Sequence, residues 1–274
     1  MPEVQGRFPL RFSGGARYNH GFNVGSMQGF QMKTLVTVVV PFYNEEQNVA
    51  LLADKIAAVF EGLADYEYEC VFVNDGSTDG THAELEQLGR ERPRIRPVHL
   101  LRNSGQSAAI VAGMRRARGE VIVMVDGDLQ NDPRDFPRML DLLKKYDCVF
   151  GYRVKRQDSW IKRHASRIAN AVRRWWLQDE IRDAGCGAKG FRRCCVEHMI
   201  PFNGMHRYFG VMMKAAGMRI AELEVAHHPR QFGQSKYGVW DRLWRGLYDL
   251  MGVAWLRKRY VPICVAGEDQ RDRP

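Results

Sequence analysis

Asp126 and Asp128 flank Gly127 directly after the apolar run Val121-Ile122-Val123-Met124-Val125. A run of that kind reads as a buried strand, so two carboxylates arrive together at its carboxyl end. Acidic side chains one residue apart, with glycine between them, can converge on one divalent cation, and a cation there can hold a diphosphate leaving group. Asp and Gly are also ordinary turn residues. The tripeptide gains weight only from what other loops bring to the same place.

Those loops follow from the order of elements. Strand-like runs at residues 35–40, 70–73, 97–101 and 121–125 alternate with helical stretches: one carrying Val49, Leu52, Ile56 and Val59, one carrying Leu85 and Leu88, and one at 108–117. This alternation predicts right-handed βαβ units and a mostly parallel sheet flanked by helices. Ligands of such sheets bind outside the carboxyl ends of the strands. The loops at 41–46, 74–81, 103–106 and 126–130 are therefore expected on one edge. No Gly-x-Gly-x-x-Gly follows the first strand and no Walker-type Gly-Lys-Ser/Thr occurs, so the usual dinucleotide and P-loop sites are unsupported.

The 274 residues suffice for one large α/β domain. Lys and Arg number 41 against 32 Asp and Glu, a formal net charge of +9, which suits a phosphate-rich ligand, an anionic bilayer or nucleic acid. The excess is local, because residues 153–174 hold eight Lys/Arg and one acidic residue, Asp158. Six cysteines occur without a Cys-x-x-Cys pair, which reads as reduced thiols, with Cys70 and Cys148 as small core hydrophobes. The absence of any run of ~18 apolar residues predicts a soluble or peripherally bound chain. Residues 1–31 lack periodicity and are expected to be a disordered extension, with a domain over 32–238, an amphipathic membrane-facing helix over 239–260 and a tail over 261–274.

With the four loops in hand, the chain resembles the glycosyltransferase family 2 enzymes of GT-A fold, and within them the dolichol-phosphate mannose synthase-like branch. The resemblance covers roughly residues 36–256. It rests on Pro41-x-Tyr43-Asn44-Glu45, Asn74-Asp75-Gly76-Ser77-x-Asp79-Gly80-Thr81 and Asp126-x-Asp128-Leu129-Gln130 with Asp132-Pro133. Gly151-Tyr152-Arg153, Asp183-x-Gly185-Cys186-Gly187 and Arg230-x-x-Gly233-x-Ser235-Lys236-Tyr237 then follow in the branch's order. Where the family often has two Asp residues this chain has Asn74-Asp75, which leaves the first position's role open.

The resemblance implies an inverting transfer of a hexose, of mannose or glucose type, from a GDP- or UDP-linked nucleotide sugar to a polyprenyl phosphate. Pro41, Tyr43, Asn44, Glu45 and Asp75 would hold the nucleotide, with Gly105 and Gln106 completing the donor side, while Asp79 caps the next helix. Asp126, Asp128 and Gln130 would carry Mg2+ or Mn2+, Gln130 either as ligand or by orienting a carboxylate. Arg153, Arg230 and Lys236 would clamp the two phosphorylated substrates, with Ser235 donating a hydrogen bond. Asp183 is open between positioning, weak base and a structural hydrogen bond.

A lipid acceptor requires contact with a membrane surface, expected at its cytoplasmic face. Residues 160–176 place Ile161, His164, Ile168, Val172 and Trp175 on one helical face, with Lys162, Arg163, Arg167, Arg173 and Arg174 around it. Residues 239–256 repeat the pattern with Leu243, Trp244, Leu247, Leu250, Met251, Ala254 and Trp255, ending in Arg257-Lys258-Arg259. Packing of both helices on the protein's own core is the alternative, and His227 and His228 read as structural. A glycan, lipid or protein acceptor is a second reading, although the processive Gln-x-x-Arg-Trp signature has Ala171 in place of Gln. A basic nucleic-acid-binding module is disfavoured, because four acidic and polar loops on one edge would repel phosphates.

Overall fold

A computed structural model describes residues 33–154, 171–230 and 239–261, with the backbone alone at 239–245 and 247. The core begins with β1 (Thr34–Phe42), whose residues Val36 to Val40 are buried on both faces, as the centre of a parallel sheet requires. Chain order continues with α1 (Glu46–Glu61), β2 (Tyr66–Asn74), α2 (Thr81–Glu91), β3 (Ile95–His99), α3 (Gln106–Arg116), β4 (Val121–Met124), α4 (Phe136–Leu143) and β5 (Cys148–Tyr152). After helical residues 171–177 come β6 (Lys189–Arg192), α5 (Phe209–Ala215), β7 (Ile220–Glu224) and α6 (Val239–Arg259).

Among the described residues these strands form one sheet in the order β3-β2-β1-β4-β6-β5-β7. β3, β2, β1 and β4 are mutually parallel, β6 is antiparallel to both β4 and β5, and β7 is parallel to β5. One reversed strand thus lies between two parallel sets. Its first residue, Lys189, stands at the edge where every other strand ends.

Side-chain alternation divides the core into two layers. Val36, Val38, Val40, Cys70 and Phe72 face α1, α2 and α4 through Leu52, Ile56, Leu85 and Phe136. Val39, Val71 and Val73 face the other way, towards Ile110 and Met114 of α3, Phe209 of α5 and Leu250 of α6. Each fully buried large side chain contributes on the order of 1.5–3 kcal/mol relative to exposure.

The structure shifts several expected elements. The third strand is Ile95–His99 rather than 97–101, because pairing with β2 ends at Asn74 opposite His99 and Leu101 is fully exposed. α3 starts at Gln106, since Gly105 turns the chain at φ +89°. Arg173 is not part of a basic face. It is buried, 3.2 Å from Asp179, with a further bond to the Ile181 carbonyl, while Val172, Trp175 and Trp176 are exposed. α6 also divides its apolar residues: Leu250 and Val253 enter the core and Tyr248, Met251 and Trp255 face outward. Residues 1–31, most of the helix expected over 160–176, the side chains of Leu243, Trp244 and Leu247, and residues 262–274 lie outside the described residues.

α3 lies close on the sheet because Gly113 has no side chain. A Cβ there would come 2.5 Å from Val39 Cγ1 and 3.1 Å from Val73 Cγ2. Gly113→Val should cost about 1–3 kcal/mol by overpacking. A urea midpoint equal to that of the wild type would show that the contact is slack.

Candidate active site

β4 runs out at Met124, and Asp126, Gly127 and Asp128 follow at the carboxyl edge. Two glycines make the carboxylates fit. A Cβ on Gly127 would lie 2.5 Å from the Phe42 ring, and one on Gly187 would lie 2.2 Å from Asp126 Oδ2. Leu129, buried, holds a left-handed φ of 59° between Asp128 and Gln130, a conformation that costs a non-glycine residue energy and persists only where its surroundings fix it. Asp126 Oδ1 accepts from Gln106 Nε2 at 2.7 Å, and Asp128 Oδ1 accepts from the Gln130 backbone N–H at 3.2 Å. Burial, followed by the charge of Asp128, pushes the Asp126 carboxyl up to about 6 against the opposing charges of Lys189, Arg153 and Arg230.

The loops after β1, β2 and β3 lock together beside this pair. Asp75 is buried, and its carboxylate accepts from the backbone N–H groups of Ser104 (2.8 Å) and Gly105 (2.9 Å) and from Asn103 Nδ2 (3.2 Å). That carboxylate fixes the turn from which α3 departs, so it sets where Gln106 stands. Asn44, with φ 55°, accepts from the Thr78 N–H through Oδ1 and donates to Thr78 Oγ1. Glu45 N–H donates to Thr81 Oγ1, and Pro41 and Tyr43 are half-buried beside it. Asp79 accepts from both Thr81 N and Thr81 Oγ1, one position earlier than the capping residue, Gly80.

The first turn of α3 has its own support. Ser107 Oγ accepts from Gly204 N–H at 2.9 Å and bonds His206 Nδ1 at 2.9 Å. Burial, then Lys189 and Arg207, depress the His206 pKa to about 3, so this contact is uncharged.

The other half of the edge is basic. Arg153, at the end of β5, makes a two-pronged pair with Asp183 at 2.7 and 3.0 Å. The chain after β7 runs alongside the acidic loop: Asp135 Oδ2 accepts from Ala226 N–H, His228 N–H donates to the Gln130 carbonyl, and His228 Nε2 meets Asp132 Oδ2 at 2.9 Å. His228 is thus a framework residue, and His227 makes an isolated β-bridge with Asn131. This splint delivers Arg230, whose Nη2 lies 2.9 Å from Asp128 Oδ2 and 3.5 Å from Glu45 Oε1. Ser235 and Lys236 lie outside the described residues.

Sequence reasoning missed Lys189. It is 3 % exposed, its Nζ donates to the Cys186 carbonyl, and burial lowers its pKa although Cys186, Asp126 and Asp183 oppose the shift. The available signal was a lysine between Ala188 and Gly190, two residues before the core side chain Phe191.

Residues 37–200 match the family described as Glycosyl transferase family 2. The chain belongs to glycosyl transferase family 2. Among curated relatives, the dodecaprenyl-phosphate galacturonate synthase of Rhizobium johnstonii is 37 % identical over 224 residues, covering 80 % of this chain and 66 % of the relative. The undecaprenyl-phosphate 4-deoxy-4-formamido-L-arabinose transferase of Edwardsiella ictaluri is 33 % identical over 228 residues, covering 82 % and 69 %. The chain thus spans about two thirds of the length of these relatives. Glucosyl-3-phosphoglycerate synthase of Mycobacterium tuberculosis, solved with Mn2+, UDP-glucose and phosphoglyceric acid, superposes with a TM-score of 0.59 at 18 % identity over 85 % of this chain and 82 % of that one. At that identity the likeness carries the fold, which is the GT-A fold expected from the sequence.

Within this family 2 chain, no group of three or more His, Cys, Asp or Glu converges as a ready metal cage among the described residues. The donor set at Asp126 and Asp128 still fits a hard divalent cation. Mg2+ is commonly bound through one or two carboxylates, with water and phosphate oxygens completing its shell. Asp128 already holds a cation in the form of the Arg230 guanidinium, and Asp126 has its pKa raised partly by the neighbouring charge.

The raised Asp126 carboxyl has a defined pH signature. Its folded pKa exceeds the ordinary aspartate value, so its stabilising contribution is complete below about pH 4 and is lost as pH rises through about 6. In metal-free protein, Asp126→Asn should gain melting temperature relative to wild type over that interval. A difference that stays flat with pH would remove the charge crowding at this position.

Proposed function

We propose that the chain transfers a glycosyl group from a nucleotide sugar to the phosphate of a polyprenyl phosphate, with inversion at the anomeric carbon. The observation that carries this reading is the meeting, on one sheet edge, of Asp126 and Asp128 with Arg230 and the Arg153–Asp183 pair. The relatives named for dodecaprenyl and undecaprenyl phosphate support it. Their galacturonate and formamido-arabinose widen the proposed sugar from a mannose- or glucose-type hexose to uronates and modified pentoses. The donor is UDP- or GDP-linked, and melting curves across such donors with Mn2+ would rank them.

Each group has a task in this reading. Pro41, Tyr43, Asn44, Glu45 and Asp75 form the nucleotide side, Asp75 by holding the 103–105 turn, with Gly105 and Gln106 placed by it. Asp126 and Asp128, with Gln130, would hold Mg2+ or Mn2+, which supplies charge neutralisation for the departing nucleoside diphosphate. A phosphate oxygen is already anionic, so the acceptor needs no strong base. Asp183 serves by fixing the Arg153 guanidinium, which screens repulsion between acceptor phosphate and donor diphosphate. Ser235 and Lys236 are assigned to the same clamp. Asp126→Ala or Asp128→Ala should lower transfer at least ~10²-fold, the scale of losing one major electrostatic stabiliser, with the melting transition retained. Near-wild-type transfer by either variant in EDTA would overturn this assignment.

The lipid side rests on exposed aromatic residues. No helix among the described residues is long and apolar enough to cross a membrane. Trp175 (81 % exposed), Tyr248 (77 %) and Trp255 (64 %) nevertheless face outward. Arg257 ties their two helices by donating to the Leu177 carbonyl, and Arg257, Lys258 and Arg259 end α6. We assign this face to the headgroup level of the cytoplasmic leaflet, where each basic residue contributes about 1 kcal/mol. Trp175→Glu with Trp255→Glu should abolish sedimentation with anionic liposomes while donor binding persists. Undiminished sedimentation would move the membrane contact elsewhere.

A further inference from the structure

We propose that Arg230 is an exchangeable counter-ion: its guanidinium occupies Asp128 when no metal is present, and arrival of a divalent cation displaces it. The proposal rests on the metal role given above to Asp126 and Asp128, and assigns Arg230 a competing role at the same carboxylate.

The geometry behind it is specific. Arg230 Nη2 donates to Asp128 Oδ2 at 2.9 Å, while Oδ1 of the same carboxylate accepts the Gln130 N–H at 3.2 Å. The guanidinium therefore covers the carboxylate oxygen opposite the one that takes the Gln130 N–H. Glu45 Oε1, at 3.5 Å from the same Nη2, gives it a second anionic neighbour beyond the aspartate pair. A divalent ion bound through Oδ2 would lie close to that guanidinium, where two cations repel across a poorly solvated gap.

Arg230 can retreat without leaving the site. Its backbone is anchored by the splint of His228 on Gln130 and Asp132, while its own side chain is 31 % exposed and Asp128's is 11 % exposed. A long side chain on a fixed backbone can swing from a carboxylate to a nearby anion and keep its charge. In the free protein the arrangement offsets the repulsion between Asp126 and Asp128. With metal in place that task passes to the metal, and the guanidinium is released towards the phosphates.

The exchange predicts an effect opposite in sign to that of an ordinary site residue: removing Arg230 strengthens metal binding. Mn2+ affinity, read without donor or acceptor from the electron-spin signal of the free ion, should be about fivefold tighter in Arg230→Gln, the scale of a partly exposed charge pair. Arg230→Lys, which keeps the charge, should stay near wild type, and Asp128→Asn should bind weakly. In wild type, the Arg230 guanidinium nitrogen resonance should move on titration with Mg2+ and stay put in Asp128→Asn. Equal or weaker Mn2+ binding by Arg230→Gln overturns the exchange alone, provided Asp128→Asn still lowers affinity. If wild type and Asp128→Asn bind Mn2+ equally or not at all, the metal assignment falls, and the exchange with it.

Discussion

The constraint on which the site depends is the electrostatic cost of holding Asp126 and Asp128 side by side at the end of a buried strand. Two carboxylates in a partly desolvated setting repel, and a folded chain keeps them only if it surrounds them with donors and positive charge. Each neighbouring element meets part of that need. α3 contributes the Gln106 amide, β6 the Lys189 ammonium, the end of β5 Arg153, and the segment after β7 Arg230.

Topology explains how residues so far apart in sequence reach one place. The parallel half of the sheet sends the ends of β1, β2 and β4 to the edge, as any doubly wound sheet does. The reversed strand β6 adds what a purely parallel sheet lacks: a strand that begins at that edge, with Lys189 first and the 183–188 segment before it. Gly187 completes the fit, because only a residue without a side chain can pass against Asp126.

Much of this was legible in the sequence, and the limits were physical. The β1 to β4 alternation and its loops could be read because β1 and β4 are rich in β-branched residues, β2 ends in the apolar run Cys70 to Val73, and the helices show apolar periodicity; β3, which carries Arg96, Pro97 and His99, was placed two residues late. β6 could not, since Lys189-Gly190-Phe191-Arg192 is short, charged at both ends, and a strand only through its partners β4 and β5. The contact of Arg230 with Asp128 spans 102 positions and depends on the Asp132–His228 splint, for which no local pattern exists. Arg173 was misplaced for a related reason: sequence shows that it is basic and helical, while its burial is decided by Asp179 and the Ile181 carbonyl. In α6 the period gave the helix but not which apolar residues turned inward.

The reversal of β6 has a consequence for how such a chain can diversify. Because β5 is antiparallel to β6, the connection over residues 153–188 starts and finishes at the same edge of the sheet. Lengthening it would add only a slowly growing closure entropy and leave every strand register intact, whereas lengthening a crossover such as α3 would displace Gln106 from Asp126. Variation among descendants of this architecture should therefore collect between β5 and β6, on the side of Arg153 and Asp183, with the side built from Asp75 and Gln106 held constant by its own geometry.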